Sequence, residues 1–248
     1  MPDSNNATKT LVMSATYNEI ENLPRLVDGV FAVAPEVDFL AVDDNSPDGT
    51  GVWADQRATI DKRVRCLHRA GKQGLGSAII AGMRYASEHG YRHMLNIDAD
   101  FSHHPRYLPA MISGMDPANG APVDVMIGSR YIPGGGTTGW PMRRKLMSRG
   151  VNLYARWCLW LSPHDCSGGY RCYRVAMLEK LDLGAVQSSG YSFQEEILWM
   201  LHRAGARIAE TPIIFADRER GQSKINGKEA VTALRIIATL GARNLIGR

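Results

Sequence analysis

Two pairs of carboxylates hold the residues of this chain best suited to chemistry. The apolar, strand-like run HMLNIDAD at 93–100 ends in Asp98, Ala99 and Asp100, and LAVDDNSPDG at 40–49 delivers Asp43 and Asp44 in the same way. In a parallel sheet the carboxyl ends of the strands meet at one rim, where ligands bind. Acids gathered there suit a hard divalent cation, Mg²⁺ or Mn²⁺, which leaves coordination positions for water and phosphate oxygens. Such a cation stabilises charge building on a diphosphate leaving group. An Asp after a strand is also a common turn or cap residue. Two pairs at two strand ends favour the ligand reading and predict a nucleotide-sugar enzyme.

Other motifs carry less. Gly71-Lys72-Gln73-Gly74-Leu75-Gly76-Ser77 superficially resembles a phosphate loop, but Lys72 precedes the glycine pair, so it is not GxxxxGK[ST]. It reads as a tight start to a helix. His103 and His104 are adjacent and there is no HExxH, so loop packing or a helix cap is the expected role. No Ser/His/Asp order favours a hydrolase. Cys66, Cys158, Cys166 and Cys172 show no CxxC spacing; they read as mostly buried reduced thiols of a cytosolic protein, with no zinc site expected.

The elements that must position the acids alternate. TLVMSAT (10–16), FLAVDD (39–44), RVRCLHR (63–69), HMLNIDAD and DVMIGSRY (124–131) read as strands. Helical spacing recurs at 21–34, at 74–90 with Gly90 as terminator, and near 105–115. Another helix opens at SPDG, with Ser46 as N-cap and Pro47 in the first position. Strand–helix alternation predicts a doubly wound parallel α/β sheet. The second half differs. PGGGTTG (133–139) reads as a flexible loop, 143–161 and 191–205 as helices, SGGYRCYR (167–174) as turn and strand, and 206–218 as a strand pair or one long strand. The tail, 229–246, is a helix with one apolar stripe.

The 248 residues are 44% apolar, enough for a sizeable core. The net charge is only +4, yet residues 125–164 hold no Asp or Glu and six basic residues, Arg130, Arg143, Arg144, Lys145, Arg149 and Arg156. A one-sign block beside a nucleotide site suggests an anionic partner. Residues 1–9 are polar and read as a disordered tail, with no signal peptide, and no apolar run reaches the ~18 residues needed to span a bilayer. In 143–161 the basic residues combine with Trp157 and Trp160, which fits an interfacial helix; the tail helix is a second candidate. No nucleic-acid-binding motif is present, and no nucleic-acid partner is expected.

The segments ATYNEIENLP (15–24), VDDNSPDGTG (42–51), GLGSA (74–78), DADFSHHP (98–105), IGSRYIPGGG (127–136), DCSGGYR (165–171), GYSFQEE (190–196) and DRERGQSK (217–224) occur in that order. Together they resemble the polyprenyl-phosphate (dolichol-phosphate) mannosyltransferases, inverting enzymes of glycosyltransferase family 2 with the GT-A fold. The resemblance implies a single GT-A catalytic domain over 10–225, with a mixed, mostly parallel sheet; the apolar stripe of the tail adds an amphipathic helix at 226–248. It assigns Ala15, Tyr17, Glu19, Val42 and Asp44 to the base and ribose pocket; the family usually has Pro at the position of Ala15. Asp98, Ala99 and Asp100 hold diphosphate and metal, with Asp100 the principal ligand and Ser102 a second. Arg130, Arg218 and Lys224 contact phosphates, with Arg144 and Ser148 beside Arg130 for the acceptor phosphate. Gln194 and Glu195 face sugar or acceptor.

The implied donor is GDP-mannose and the implied acceptor a polyprenyl phosphate, joined at a cytoplasmic membrane face by a peripheral protein with or without an anchoring partner. An ionised phosphate attacks the sugar without a strong base, so alignment and charge neutralisation are the protein's tasks. In-line attack on an α-linked donor gives a β-linked product. The rivals are transfer of glucose or N-acetylhexosamine from a UDP-sugar, and a non-catalytic nucleotide-sugar- or lipid-binding subunit.

Overall fold

The computed structural model describes residues 9–188, 190, 192–217 and 227–246. Seven strands form the main sheet: β1 (Thr10–Thr16), β2 (Asp38–Asp43), β3 (Val64–His68), β4 (His93–Asn96), β5 (Val125–Ser129), β7 (Arg171–Arg174) and β8 (Ile208–Pro212). Their order is β3-β2-β1-β4-β7-β5-β8. All neighbours pair in parallel except β7, which runs antiparallel between β4 and β5. This is the mixed, mostly parallel sheet of the GT-A fold.

The apolar strand runs follow from burial on both faces. Side chains alternate across a strand, so Leu11 and Met13 enter one core while Val12 enters the other; Leu40 and Val42 part from Phe39 and Ala41 in the same way. One face is covered by α1 (Leu23–Val33), α2 (Thr50–Ile60) and α4 (Leu108–Ser113). The other is covered by α3 (Leu75–Glu88), α5 (Met142–Leu159), α6 (Val175–Leu178), α7 (Phe193–Arg203) and α8 (Gly227–Ile246). In α1 the buried Leu23, Leu26, Val27 and Val30 repeat at helical spacing, which fixes the face it turns to the sheet.

The structure corrects three local expectations. Ser46 does not cap a helix: α2 starts at Thr50, after Gly49 at φ 91°. Ser46 instead donates its hydroxyl to Asp43 Oδ1 and its N–H to Asp43 Oδ2, so the SPDG segment is a loop folded back on β2. The glycine-rich stretch is not all loop, since Gly136–Thr138 forms β6 and pairs in parallel with β9 (Ile214–Ala216). Of the strand pair or one long strand expected over 206–218, the described residues show two strands, but β8 and β9 do not pair with each other: they belong to different sheets and part at Pro212–Ile213. The expected tail at 1–8 lies outside the described residues. Lys9, the last residue of the tail expected at 1–9, forms an ion pair with Asp38 at 3.4 Å.

Candidate active site

Three loops leave the carboxyl ends of β1, β2 and β4 side by side, each turning at a residue in the left-handed region: Asn18 (φ 59°), Asn45 (φ 58°) and Phe101 (φ 60°). Short polar side chains tolerate that conformation; a Phe does so at a cost of ~1–3 kcal/mol. The first two loops are knitted together. Thr50 Oγ1 accepts from Glu19 N at 2.9 Å, Asp48 Oδ2 from Ile20 N at 3.1 Å and Ser46 Oγ from Asn18 N at 3.1 Å. Burial works against ionisation of Asp48, but hydrogen bonds from Thr50 and Ile20 prevail and hold its carboxyl below the usual range.

This corner brings together the residues assigned to base and ribose. Ala15 and Val42 are cross-strand neighbours. The Val42 side chain is fully buried in the core, so only its backbone is left to meet a ligand. Tyr17 is partly exposed, with the Lys72 ammonium 4.7 Å from its ring centre. Asp44 lies 2.9 Å from Arg69 Nη1, and both side chains are nearly buried. Burial raises the Asp44 carboxyl above its ordinary range despite Arg69. Arg69, which also donates to Ser77 Oγ at 2.7 Å, was not singled out from sequence, because nothing in RAGKQG announces a partner 25 residues earlier.

Asp98 is half-exposed at the next loop, with His103 Nδ1 3.2 Å from its Oδ2. Asp100 accepts from Ser102 N at 3.0 Å, a turn that the left-handed Phe101 makes possible. Ser102 Oγ is buried with no hydrogen-bond partner among the described residues. Two carboxylates and an orphaned hydroxyl, all oxygen donors, fit a hard divalent cation. Ala99 packs into the core between them. His104 caps the 3₁₀ turn Pro105–Tyr107 by accepting from Arg106 N, and His103 is loop packing, as expected of the pair.

His103 is also a bridge. It stacks on Tyr170 (ring centres 5.0 Å apart) and meets Phe215 edge-on at 5.1 Å; Phe215 meets Trp140 at 5.3 Å; and Trp140 lies under Arg144 at 3.9 Å and near Arg130 at 5.6 Å. An aromatic path thus joins the acidic loop to the basic residues assigned to the acceptor phosphate. Each of those is already engaged. Arg144 pairs with Asp217 at 3.0 Å, and Ser148 Oγ accepts from Tyr131 Oη at 2.7 Å. Arg130 grips Asp165 through Nε and Nη2 at 2.7 and 2.6 Å, and its Nη2 also donates to Ser167 Oγ at 2.9 Å. The fork expected to hold phosphate is therefore closed on a carboxylate. Burial opposes charge on Asp165, yet Arg130 overrides it and keeps the carboxyl below its ordinary range. Arg218 and Lys224 lie outside the described residues.

The reversed strand β7 explains how Asp165 arrives. Its preceding loop comes back to the carboxyl rim from outside, anchored by Asn152 Oδ1, which accepts from Cys166 N and Ser167 N, and by Glu210, which accepts from His164 N and Asp165 N. Fully buried Arg171 ties this loop to α7, donating to the carbonyls of Cys166 and Gln194 at 2.6 and 2.7 Å. At the start of α7, Gln194 and Glu195 are buried, and Gln194 Oε1 and Glu195 Oε2 have no hydrogen-bond partner among the described residues. Burial pushes the Glu195 carboxyl up to about 7.

An acidic motif at the carboxyl rim of a mixed, mostly parallel sheet defines the class: a GT-A glycosyltransferase. The family model described as glycosyl transferase family 2 matches residues 11–182, and the chain belongs to that family. It is 44% identical over 241 residues to a polyprenol monophosphomannose synthase of Mycolicibacterium smegmatis, covering 97% of this chain and 89% of the relative. It is 46% identical over 219 residues to an undecaprenyl-phosphate mannosyltransferase of Micrococcus luteus, covering 88% of each. Among solved structures, glucosyl-3-phosphoglycerate synthase from Mycobacterium tuberculosis, in complex with Mn²⁺, UDP and glucosyl-3-phosphoglycerate, shares the fold (TM-score 0.64, 19% identity, 95% of this chain and 79% of that one).

Proposed function

We propose that this enzyme transfers mannose from GDP-mannose to a polyprenyl phosphate, giving a β-linked polyprenyl mannosyl phosphate. The observation that carries the reading is the single rim on which an acidic, all-oxygen donor set and a basic, aromatic corner are joined through His103, Phe215 and Trp140. The names of the two mannosyltransferase relatives support the same sugar and the same class of acceptor.

Asp100 and Asp98, with Ser102, would hold Mg²⁺ or Mn²⁺, which offsets charge on the departing diphosphate. The rest falls to the chain. Asp44, Tyr17, Glu19 and Ala15, with the backbone of Val42, form the base and ribose corner. Ala99 keeps the two acids spaced by packing beneath them. The acceptor phosphate enters beside Arg144, Ser148 and the guanidinium of Arg130, which stays paired with buried Asp165; planar guanidinium groups suit phosphate oxygens. Arg218 and Lys224, outside the described residues, would contact phosphates as the family resemblance implies. Gln194 and Glu195 offer unmatched acceptors to sugar hydroxyls.

Helix α5 supplies the approach to lipid. Met142, Leu146, Leu153 and Trp157 are all exposed, with Trp157 at 77%, and fall on one face at helical spacing, and Trp160, exposed too, follows directly after the helix end. Arg143 and Arg149 are exposed beside them. An apolar stripe with Trp and flanking cations suits the interface of an anionic membrane, as at a cytoplasmic face, with or without an anchoring partner. No described helix is long and apolar enough to cross a membrane. Helix α8 is different: Ile237 and Leu240 are buried, and Gly241 lies against Cys158 of α5 so closely that a Cβ there would sit 2.8 Å from its carbonyl oxygen. This stripe of the tail helix therefore packs on the core.

The test is transfer of labelled mannose from GDP-mannose into an organic-phase product on a short polyprenyl phosphate. Asp100→Ala is expected to abolish it; substantial turnover by that variant would remove Asp100 from the metal site.

A further inference from the structure

A cluster on the outer edge of the sheet lies away from the rim chemistry. β3 is the edge strand, and Cys66 and His68, two residues apart on it, share a face. α2 packs against that strand and brings Asp55 to them. The ligand atoms of the three side chains all lie within 4.8 Å of one another, and no other described group of three His, Cys, Asp or Glu side chains does this. His68 Nε2 is 3.0 Å from each Asp55 carboxylate oxygen.

We propose that Asp55, Cys66 and His68 form a second cation site, specific for a zinc-class ion and separate from the oxygen-donor site at Asp98 and Asp100. A tetrahedral ion with bonds of about 2.0–2.1 Å to nitrogen and oxygen holds two such ligands about 3.3 Å apart. His68 and Asp55 already stand near that separation, so little rearrangement is required. One sulfur, one nitrogen and one oxygen donor favour zinc over Mg²⁺ or Mn²⁺, which the rim acids favour in turn. The His68 and Asp55 side chains are 51% and 58% exposed, so an ion can reach them and a water can fill the fourth position. Coordination replaces the Cys66 S–H bond with a sulfur–metal bond and releases the proton to solvent.

The site would brace the donor corner from behind. A Cβ on Gly51 would lie 2.9 Å from both the His68 ring and the Asp43 carboxylate, so these two groups converge there, and the residue after His68 is Arg69, the partner of Asp44.

The test starts from protein stripped with a chelator and titrated with Co²⁺, then with Zn²⁺. One equivalent of Co²⁺ is expected to give tetrahedral bands and a thiolate-to-metal charge-transfer band that Zn²⁺ abolishes and excess Mg²⁺ does not. Cys66→Ser should lose the charge-transfer band, and Asp55→Ala should weaken binding at least about tenfold. His68→Ala, at a half-exposed position with the thiol retained, should lose tight binding and so separates ligation from any folding defect of the cysteine variant. No charge-transfer band in the wild type, or one that persists in Cys66→Ser, would overturn the proposal. None of these readouts depends on the sugar or lipid that the enzyme uses.

Discussion

At the residue scale the decisive pair is Arg130 with Asp165. Removing one member of a buried ion pair leaves the other uncompensated and costs about 3–5 kcal/mol. Asp165→Ala should lose stability on that scale in a denaturant melt, whereas a surface pair such as Arg57 with Asp28, worth at most about 1 kcal/mol, should not register when broken. Glu195 has the opposite electrostatic sense. Its folded carboxyl sits at about 7, above its ordinary 4.5, so the folded state holds a proton that the unfolded state has lost over that window. Stability from this group is present at lower pH and falls as pH rises from the unfolded to the folded value, by ~1.4 kcal/mol per unit. Glu195→Gln should therefore gain on the wild type as pH rises from about 4.5 to about 7, measured as the difference between their unfolding free energies; a difference that does not change with pH would contradict it. The placement of Asp98, Asp100 and Arg130 just past strand ends was legible from sequence because each follows an apolar strand run. Asp165 as the partner of Arg130, Trp140 as the hub and Arg69 beside Asp44 were not, since their meaning lies in contacts between distant segments.

At the element scale, the first half of the fold was readable because its strands and helices carry clean apolar periods. The exceptions have physical causes. Ser-Pro-Asp-Gly has the chemistry of a helix start, but Asp43 and the β1 loop take its hydrogen-bonding groups first. β6 is short and glycine-bearing, and only its distant partner β9 makes it a strand. The tail stripe was correctly amphipathic, yet amphipathicity alone does not say whether the apolar face meets protein or lipid. In α5 the exposed face settles what to test. Trp157→Ala combined with Trp160→Ala, or Leu153→Glu alone, should weaken sedimentation with anionic liposomes while leaving the melting temperature near that of the wild type. Unchanged liposome binding would remove α5 from the membrane contact. In α3, Gly76 admits the Phe193 ring, which a Cβ would approach to 2.9 Å. Gly76→Val should cost about 1–3 kcal/mol through overpacking at the α3–α7 contact.

At the scale of the whole molecule, strand–helix alternation alone predicted an all-parallel sheet, and only the family resemblance supplied the mixed one. The reversal at β7 has no local signature in RCYR. It is nonetheless what returns Asp165, Ser167 and Gly169 to the same rim as Asp98 and Asp100, and so what makes one site out of two halves of the chain. In the proposed function, that rim holds two mutually repelling phosphates together. The most direct measurement is therefore transfer itself, with purified protein, Mg²⁺ or Mn²⁺, a short polyprenyl phosphate, and GDP-mannose, UDP-glucose or UDP-N-acetylglucosamine offered separately. Sugar should enter the organic phase from GDP-mannose, should stop when the divalent cation is chelated, and should not come from either UDP-sugar. Transfer from a UDP-sugar in place of GDP-mannose would contradict the donor assignment, and no transfer from any of the three would contradict the reaction.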